Sequence, residues 1–226
     1  MKKTVLTIFM CVYTMVLFSQ EIEFGKVTKA QLAEKLYPLD SFANATYLYK
    51  YRKTYFNYNP NKGFEVVTEI HQRIKVYTRE GFNKTTFRIK YIKQESGGKE
   101  KVTAIKAYTF NLEKGKVKKV KLASKHIFDE KISKYRSVKK ITMPNVKEGS
   151  IIDLKYKIVS PFQDIKDLEL QHDIPIKKLK YIVEIPEYFV FSLKSKGYLN
   201  FSIKNTKENN SISWTSRTRT SDRGRS

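Results

Sequence analysis

The sequence predicts an all-β protein: an antiparallel β-sandwich of about ten strands with one short N-terminal helix. Three observations predict it. Apolar and polar residues alternate at a period of two through most of the chain, which marks strands with one buried and one wet face. Turn-forming groups such as Asn59-Pro60-Asn61-Lys62-Gly63, Asn145 to Ser150 and Lys207 to Asn210 interrupt these runs. Their spacing of roughly 8–14 residues suits short strands in a sandwich. The chain is also rich in aromatics, with fifteen Tyr and fourteen Phe in 226 residues, and such residues fit a pleated, half-buried surface.

Residues 1–20 have the layout of a secretory signal peptide. Lys2 and Lys3 give a positive start, Val5 to Phe18 is an apolar run, and Ser19 is a small residue for cleavage after Ser19 or Gln20. The run falls short of the ~20 apolar residues a spanning helix needs. An uncleaved anchor is the alternative. Cys11, the sole cysteine, lies inside this segment. The mature chain would then have no thiol, which excludes cysteine catalysis, disulfides and thiolate metal sites.

The helix is expected over Val27 to Leu36. Thr28 and Gln31 have the spacing of a capping box, and Val27 and Leu32 that of a hydrophobic staple. Leu32 and Leu36 would share a face, and Pro38 would stop the helix. After Ala45 the period changes to two. Tyr47, Tyr49 and Tyr51 are expected on one face, with Leu48, Lys50 and Arg52 on the other. The next strand places Phe64, Val66, Ile70, Ile74 and Val76 inward. Glu65, Glu69, His71, Arg73 and Lys75 face outward to water.

Phe87 to Tyr91, a polar loop over Gln94 to Lys101, Val102 to Leu112 and Val117 to Leu122 read as an antiparallel meander. Ser124 to Arg136 stays open between a short helix and an irregular crossing. Further strands are expected around Val138 to Ile141, Ile152 to Ile158, Leu179 to Ile185, Phe189 to Leu193, Leu199 to Ile203 and Ile212 to Trp214. Residues 21–214 thus form one β-sandwich module. Residues 215–226, TSRTRTSDRGRS, form a polar basic tail, expected to be a truncation point inside a longer protein.

The formal charge is +23. Such a charge suits a polyanion partner, but the lysines are spread along the whole chain and alternate with apolar residues. That is the pattern of lysine used on wet strand faces, so no nucleic-acid partner is expected. Membrane association is expected only through the signal sequence or through charge. Lys116, Lys118, Lys119 and Lys121 form the one dense stretch. With Tyr47, Tyr49 and Tyr51 they make the candidate binding surface. Tyrosine rings can stack on sugar or peptide, and the lysines would attract an anionic envelope component. Inward packing of the tyrosines is the alternative.

Catalytic signals are weak. His71 reads as a surface histidine beside Glu69 and Arg73. His126 and Asp129 could share a helical face and bind a metal, but no second ligand stands at a suitable spacing. His172 and Asp173 are adjacent, so in a strand they point apart. Neither a G-x-S-x-G elbow nor a glycine-rich phosphate loop occurs. Asp164, Asp167 and Glu169 read as a solvated acidic loop. No catalytic residue, cofactor or metal site is expected.

Several segments together carry a family resemblance. They are Phe24-Gly25-Lys26-Val27, Tyr37-Pro38-Leu39-Asp40-Ser41, Gly63-Phe64-Glu65, Ile74-Lys75-Val76-Tyr77 and Ile127-Phe128-Asp129-Glu130. The strongest is Met143-Pro144-Asn145-Val146-Lys147-Glu148-Gly149-Ser150-Ile151-Ile152, followed by Asp173-Ile174-Pro175 and Ile185-Pro186-Glu187-Tyr188. Over Phe24 to Thr220 the chain resembles domain of unknown function 3857, an N-terminal module of exported Gram-negative bacterial proteins. The resemblance implies a periplasmic or secreted location and a following transglutaminase-like domain with a Cys-His-Asp site. Nothing in this chain matches that site. The resemblance therefore implies a non-catalytic interaction module, not an enzyme by itself, whose partner is that domain or, alternatively, an anionic or carbohydrate envelope component.

Overall fold

A computed structural model describes residues 22–93, 98–187, 189–192 and 194, and the backbone of 202–208 and 211–217. The expected signal segment, residues 1–20, lies outside the described residues. The protein is all-β. One helix, α1 (Lys29–Ala33), precedes strands β1 (Ala45–Asn59), β2 (Gly63–Val76), β3 (Thr86–Ile92), β4 (Lys101–Glu113) and β5 (Lys116–Lys121). Then follow β6 (Ile127–Lys131), β7 (Arg136–Thr142), β8 (Ile151–Ser160), β9 (Leu179–Pro186), β10 (Ser202–Glu208) and β11 (Ser211–Arg217). They form an eight-stranded sheet, ordered β10-β11-β9-β1-β2-β8-β4-β5, and a three-stranded sheet, ordered β3-β7-β6.

The two sheets share one core. Ile74, Ala107, Ile152 and Leu154 of the large sheet pack in one cluster with Ile89 and Ile141 of the small one. Burying each such Ile or Leu stabilises the fold by about 1.5–3 kcal/mol. The sheet pairing departs from the expected meander. The consecutive strands β3 and β4 lie in different sheets, β3 pairing with β7 and β4 with β8 and β5. Alternation along a strand says which face is buried but not which strand lies beside it. Nor is the large sheet wholly antiparallel, because β9 runs parallel to β1. Parallel neighbours need a long crossover. Here it is the strap of residues 161–178 between β8 and β9. Strand β11 continues to Arg217, so residues 215–217 of the expected tail belong to the sheet.

The second face of the large sheet is covered at one end by the N-terminal segment, making a third layer. Leu32 packs there on Leu48, Phe110 and Ile151, with Val27 beside them. The capping box forms as expected: the Gln31 N–H donates to Thr28 Oγ1 (3.2 Å) and the Thr28 N–H to Gln31 Oε1 (3.1 Å). The helix ends at Ala33, short of the expected Leu36, whose side chain turns out to solvent instead of sharing the face of Leu32.

This layer buries charges that alternation assigns to water. Arg73, Lys75 and Asp153 are each at most 2% exposed. Asp153 Oδ2 accepts from Arg73 Nη2 (2.8 Å) and from the Gly25 N–H (2.7 Å). Its Oδ1 lies 2.6 Å from His71 Nε2. Arg73 Nη2 also donates to the Glu23 carbonyl (2.7 Å), and Lys119 Nζ to the Gly25 carbonyl (2.9 Å). The Phe24 ring stands edge-on to His71, 5.5 Å between centroids, with Lys155 Nζ 4.5 Å from its own centroid. Residues 23–25 are thus gripped at both backbone and ring. Gly25 has φ +81°, and a Cβ there would meet Lys119 Nζ at 3.3 Å, so glycine is required. Lys75 Nζ donates to the carbonyls of Leu32 and Gly149, each at 2.7 Å.

Burial, the largest influence on the Asp153 carboxyl, pushes its pKa up. The hydrogen bonds and charges of His71 and Arg73 together outweigh burial and hold it below the ordinary carboxylate value. Asp153→Asn, which leaves the Arg73 charge buried without its counter-ion, is expected to lower unfolding stability by about 3–5 kcal/mol in guanidinium titrations. Because the folded pKa lies below the unfolded one, this stability is present above about pH 4 and is lost as pH falls through the folded value. The protection factor of the Gly25 amide should therefore stay high at pH 5 and fall on acidification below pH 4.

Candidate functional site

The expected tyrosine row is split. The pairing of β1 with β2 shifts register between Tyr47 and Tyr49, so Leu48 is the extra residue of a β-bulge. Tyr47 sits opposite Ile74 and joins the inter-sheet core, whereas Tyr49 sits opposite Arg73 on the other face. Tyr49 is buried, stacks on Tyr51 at 6.1 Å and meets the His71 ring edge-on at 5.2 Å. A bulge moves every later side chain to the opposite face, and no residue type at 47–49 announces it.

The four lysines of β5 do not form one patch. Lys116 and Lys118 alternate with Lys119 and Lys121 across the sheet edge. Lys119 is occupied by the Gly25 carbonyl and lies 3.8 Å from the Tyr108 ring centroid. Lysines on both faces of an edge strand discourage edge-to-edge pairing, a sufficient physical reason for them.

The histidines are also placed differently from expectation. His71 finds its partner in Asp153, far along the chain, and is part-buried. His126 ends a 3-10 turn (Ser124–His126), and Asp129 lies in strand β6, bonded to Lys139, so the two share no helical face. His172 belongs to the strap and is almost buried, at 8% side-chain exposure.

The strap roofs a cavity of about 220 Å³ against the large sheet. Its floor comes from β1, β2, β8 and β9, and its wall from the strap and Glu100. Several bonds fix the strap there. Arg52 donates from Nη1 to the Asp167 carbonyl and from Nη2 to the Lys166 carbonyl, both at 2.8 Å. The Tyr181 hydroxyl donates to the Glu169 carbonyl at 2.8 Å. Lys166 pairs at 2.8 Å with Glu100, which also accepts from the Ile92 N–H and is buried. Lys50 Nζ lies 2.5 Å from His172 Nε2 and 5.0 Å from the Tyr47 ring centroid.

Burial sets the titration of this cavity. It pushes the Lys50 amine down to about 8, against the opposing pull of the Glu169 charge and with the Arg52 charge acting in the same direction as burial. It raises the Tyr156 phenol to about 12, raises the Tyr181 phenol and lowers the His172 imidazole, on which the Lys50 charge also acts. Neither Lys50 nor Arg52 has a carboxylate within ion-pairing distance among the described residues. Gln72 and Tyr156 also line the cavity, and neither side chain has a hydrogen-bond partner among the described residues. Lys50 and Arg52 were legible only as residues of the strand face opposite the expected tyrosine row. The acidic trio Asp164, Asp167 and Glu169, read as a solvated loop, stands exposed at the edge of this cavity.

These features define an all-β module of two packed sheets with an N-terminal cover and a strap over one face. The chain belongs to the family "Domain of Unknown Function with solved-structure structure", domain of unknown function 3857, whose model matches residues 64–220. No curated protein matches it. Among solved structures it is similar to a protein from Parabacteroides distasonis described as a "putative protease", at 16% identity and a TM-score of 0.58. That match covers 80% of this chain and 37% of the other, and shows the fold alone. An M1 zinc metallopeptidase from Deinococcus radiodurans matches at 12% identity and a TM-score of 0.36, over 83% of this chain and 42% of that one, a likeness too weak to bear on the fold. The match covers less than half the length of either.

Arg52→Met should loosen the strap, since hydrogen bonds to charged groups contribute about 1.5–3 kcal/mol. Tryptic cleavage after Lys166 should accelerate roughly tenfold in this variant, with mass spectrometry locating the cut. An unchanged cleavage rate would show that Arg52 does not hold the strap.

Proposed function

We propose that this chain is a non-catalytic interaction module of the bacterial cell envelope, exported and built to dock a partner domain. The observation that carries the reading is the loop after α1. Leu36, Leu39 and Phe42 are 50%, 70% and 93% exposed, although the loop that holds them is well tied. Tyr37 is buried as its anchor and forms a β-bridge with Asp40. Asp40 Oδ1 accepts from the Phe42 N–H at 3.1 Å, and the Asp40 carbonyl from the Ala43 N–H at 3.2 Å. The Tyr77 hydroxyl donates to Glu34 at 2.5 Å just before the loop. A fixed loop that presents three large apolar side chains to water has the character of an interface core, where such side chains contribute most of the binding energy.

Two further points support the reading. The buried Arg73, Asp153 and Lys75 and the part-buried His71 are occupied in holding the N-terminal layer, not gathered around open space. A protein of the same fold carries it over only 37% of its length, as expected of a module within longer chains. The partner we propose is a transglutaminase-like domain, the neighbour that the family resemblance implies. The division of the β5 lysines between two faces favours this partner over an anionic envelope polymer.

The test joins or mixes the protein with a transglutaminase-like domain taken from a chain that carries both. The melting temperature of the module should rise by about 4–8 °C, the effect of roughly 2 kcal/mol on a chain of this size. Leu39→Ser with Phe42→Ser should abolish the rise while leaving the melting of the isolated module unchanged. A wild-type module that melts at the same temperature with and without the partner would refute docking.

A further inference from the structure

Of the groups not absorbed by the docking reading, the cavity beneath the strap is the most demanding to explain. Taking a cation out of water is costly unless a counter-charge or several acceptors replace the lost hydration. Arg52 meets this demand with two strap carbonyls and with Thr54 Oγ1 at 3.3 Å. Lys50 does not. Charged, it can only donate, and its described contacts are the His172 ring nitrogens and the face of Tyr47. None of its three N–H donors thus has an oxygen acceptor among the described residues. Gln72, which stands opposite Lys50 in the pairing of β1 with β2, and Tyr156 line the same cavity, and neither side chain has a hydrogen-bond partner among the described residues. A lysine, a glutamine and a tyrosine therefore line one half-open space under the strap.

We infer that this cavity binds a small ring-bearing monocarboxylate, with the carboxylate on Lys50, Gln72 and Tyr156 and the ring against the apolar floor. The floor supplies Ile70 and Ile158 together with the tyrosine rings. The volume is about 220 Å³, and an engineered cavity of about 150 Å³ already holds benzene, so a six-membered ring with a carboxyl group fits. Charge limits the ligand further. Asp164, Asp167 and Glu169 stand exposed at the edge and the buried Glu100, paired with Lys166, lies in the wall, so Lys50 and Arg52 are the inner cations of a site with an acidic rim. An acidic rim repels a polyanion more strongly than a monoanion, which favours a ligand with a single negative charge. The same carboxylate chemistry has two sources, an aromatic amino acid blocked at its amine and a sugar acid, and the test separates them.

The full chain is titrated by calorimetry with N-acetylphenylalanine and with glucuronate. The neutral controls are N-acetylphenylalaninamide and glucose. At least one carboxylate should saturate at one per chain with Kd below about 1 mM, and its neutral control should bind at least tenfold more weakly. Lys50→Met should weaken binding by about tenfold or more, as expected for loss of a charge-assisted hydrogen bond. Gln72 has no described partner to lose, so Gln72→Ala keeps the test open if the lysine variant misfolds. It should weaken binding about three- to tenfold. Binding of only the amino-acid derivative, or of only glucuronate, identifies the source. Failure of both carboxylates to bind at about 10 mM, equal binding of the neutral controls, or wild-type affinity in a folded variant would overturn the inference. None of these outcomes bears on the docking loop, which lies elsewhere on the chain.

Discussion

A carboxylate shut away from water stays ionised only if donors replace the whole of its hydration, and the architecture at the N-terminal end of this protein turns on one such carboxylate. Asp153 receives Arg73, His71 and the amide of Gly25, which come from a neighbouring strand and from the chain before α1. Each donor is useful only in the presence of the others. Without Gly25 and its flanking residues the charges would face solvent, and a surface ion pair contributes little. With them covered, the cluster becomes a tie between layers. The apolar contacts of Leu32 and Val27 add breadth to it, but the buried charges set the position of the segment, because hydrogen bonds tolerate less displacement than apolar packing.

The opposite face of the same sheet is organised by a topological constraint. Strand β9 lies parallel to β1, so the chain must cross from one end of the sheet to the other before β9 can begin. The crossing becomes the strap, and Arg52 and Tyr181 reach up from the floor to satisfy its carbonyls. A loop this long would otherwise stay in water with its backbone solvated. Because it is pinned at separated points, it leaves a roofed space instead of collapsing onto the sheet. The cavity and its polar lining thus follow from one parallel pairing in an otherwise antiparallel sheet.

The segment that carried the strongest resemblance, Met143 to Ile152, has a structural explanation of the same kind. Gly149 takes φ +81° and Asn145 φ 54°, both in the left-handed region. Pro144, Asn145 and Gly149 offer their carbonyls to Thr109, Asn111 and Lys75. The turn therefore does more than reverse the chain. It supplies acceptors to three buried polar side chains from two strands and fixes where β8 enters the sheet.

Local chemistry was legible in the sequence wherever a feature depends on residues a few positions apart. The capping box of Thr28 and Gln31, the staple of Val27 with Leu32, the turn at Asn59 to Gly63 and the alternation of β2 all belong to this kind, because each is closed by neighbouring atoms of the same stretch. Alternation also told correctly which side chains of β2 share a face. It could not tell that the face of His71, Arg73 and Lys75 would be covered, since the cover arrives from residues 23–36. Nor could it detect the bulge at Leu48, the separation of β3 from β4, or the parallel docking of β9. Those depend on which strands meet, and pairing energy between strands is nearly indifferent to sequence distance while side-chain period is fixed by the backbone alone. The sequence by itself therefore determined the all-β class and the local turns. Only the tertiary structure decided which lysines and arginines are buried, and so where a ligand or a partner can find an unsatisfied charge or an exposed apolar side chain.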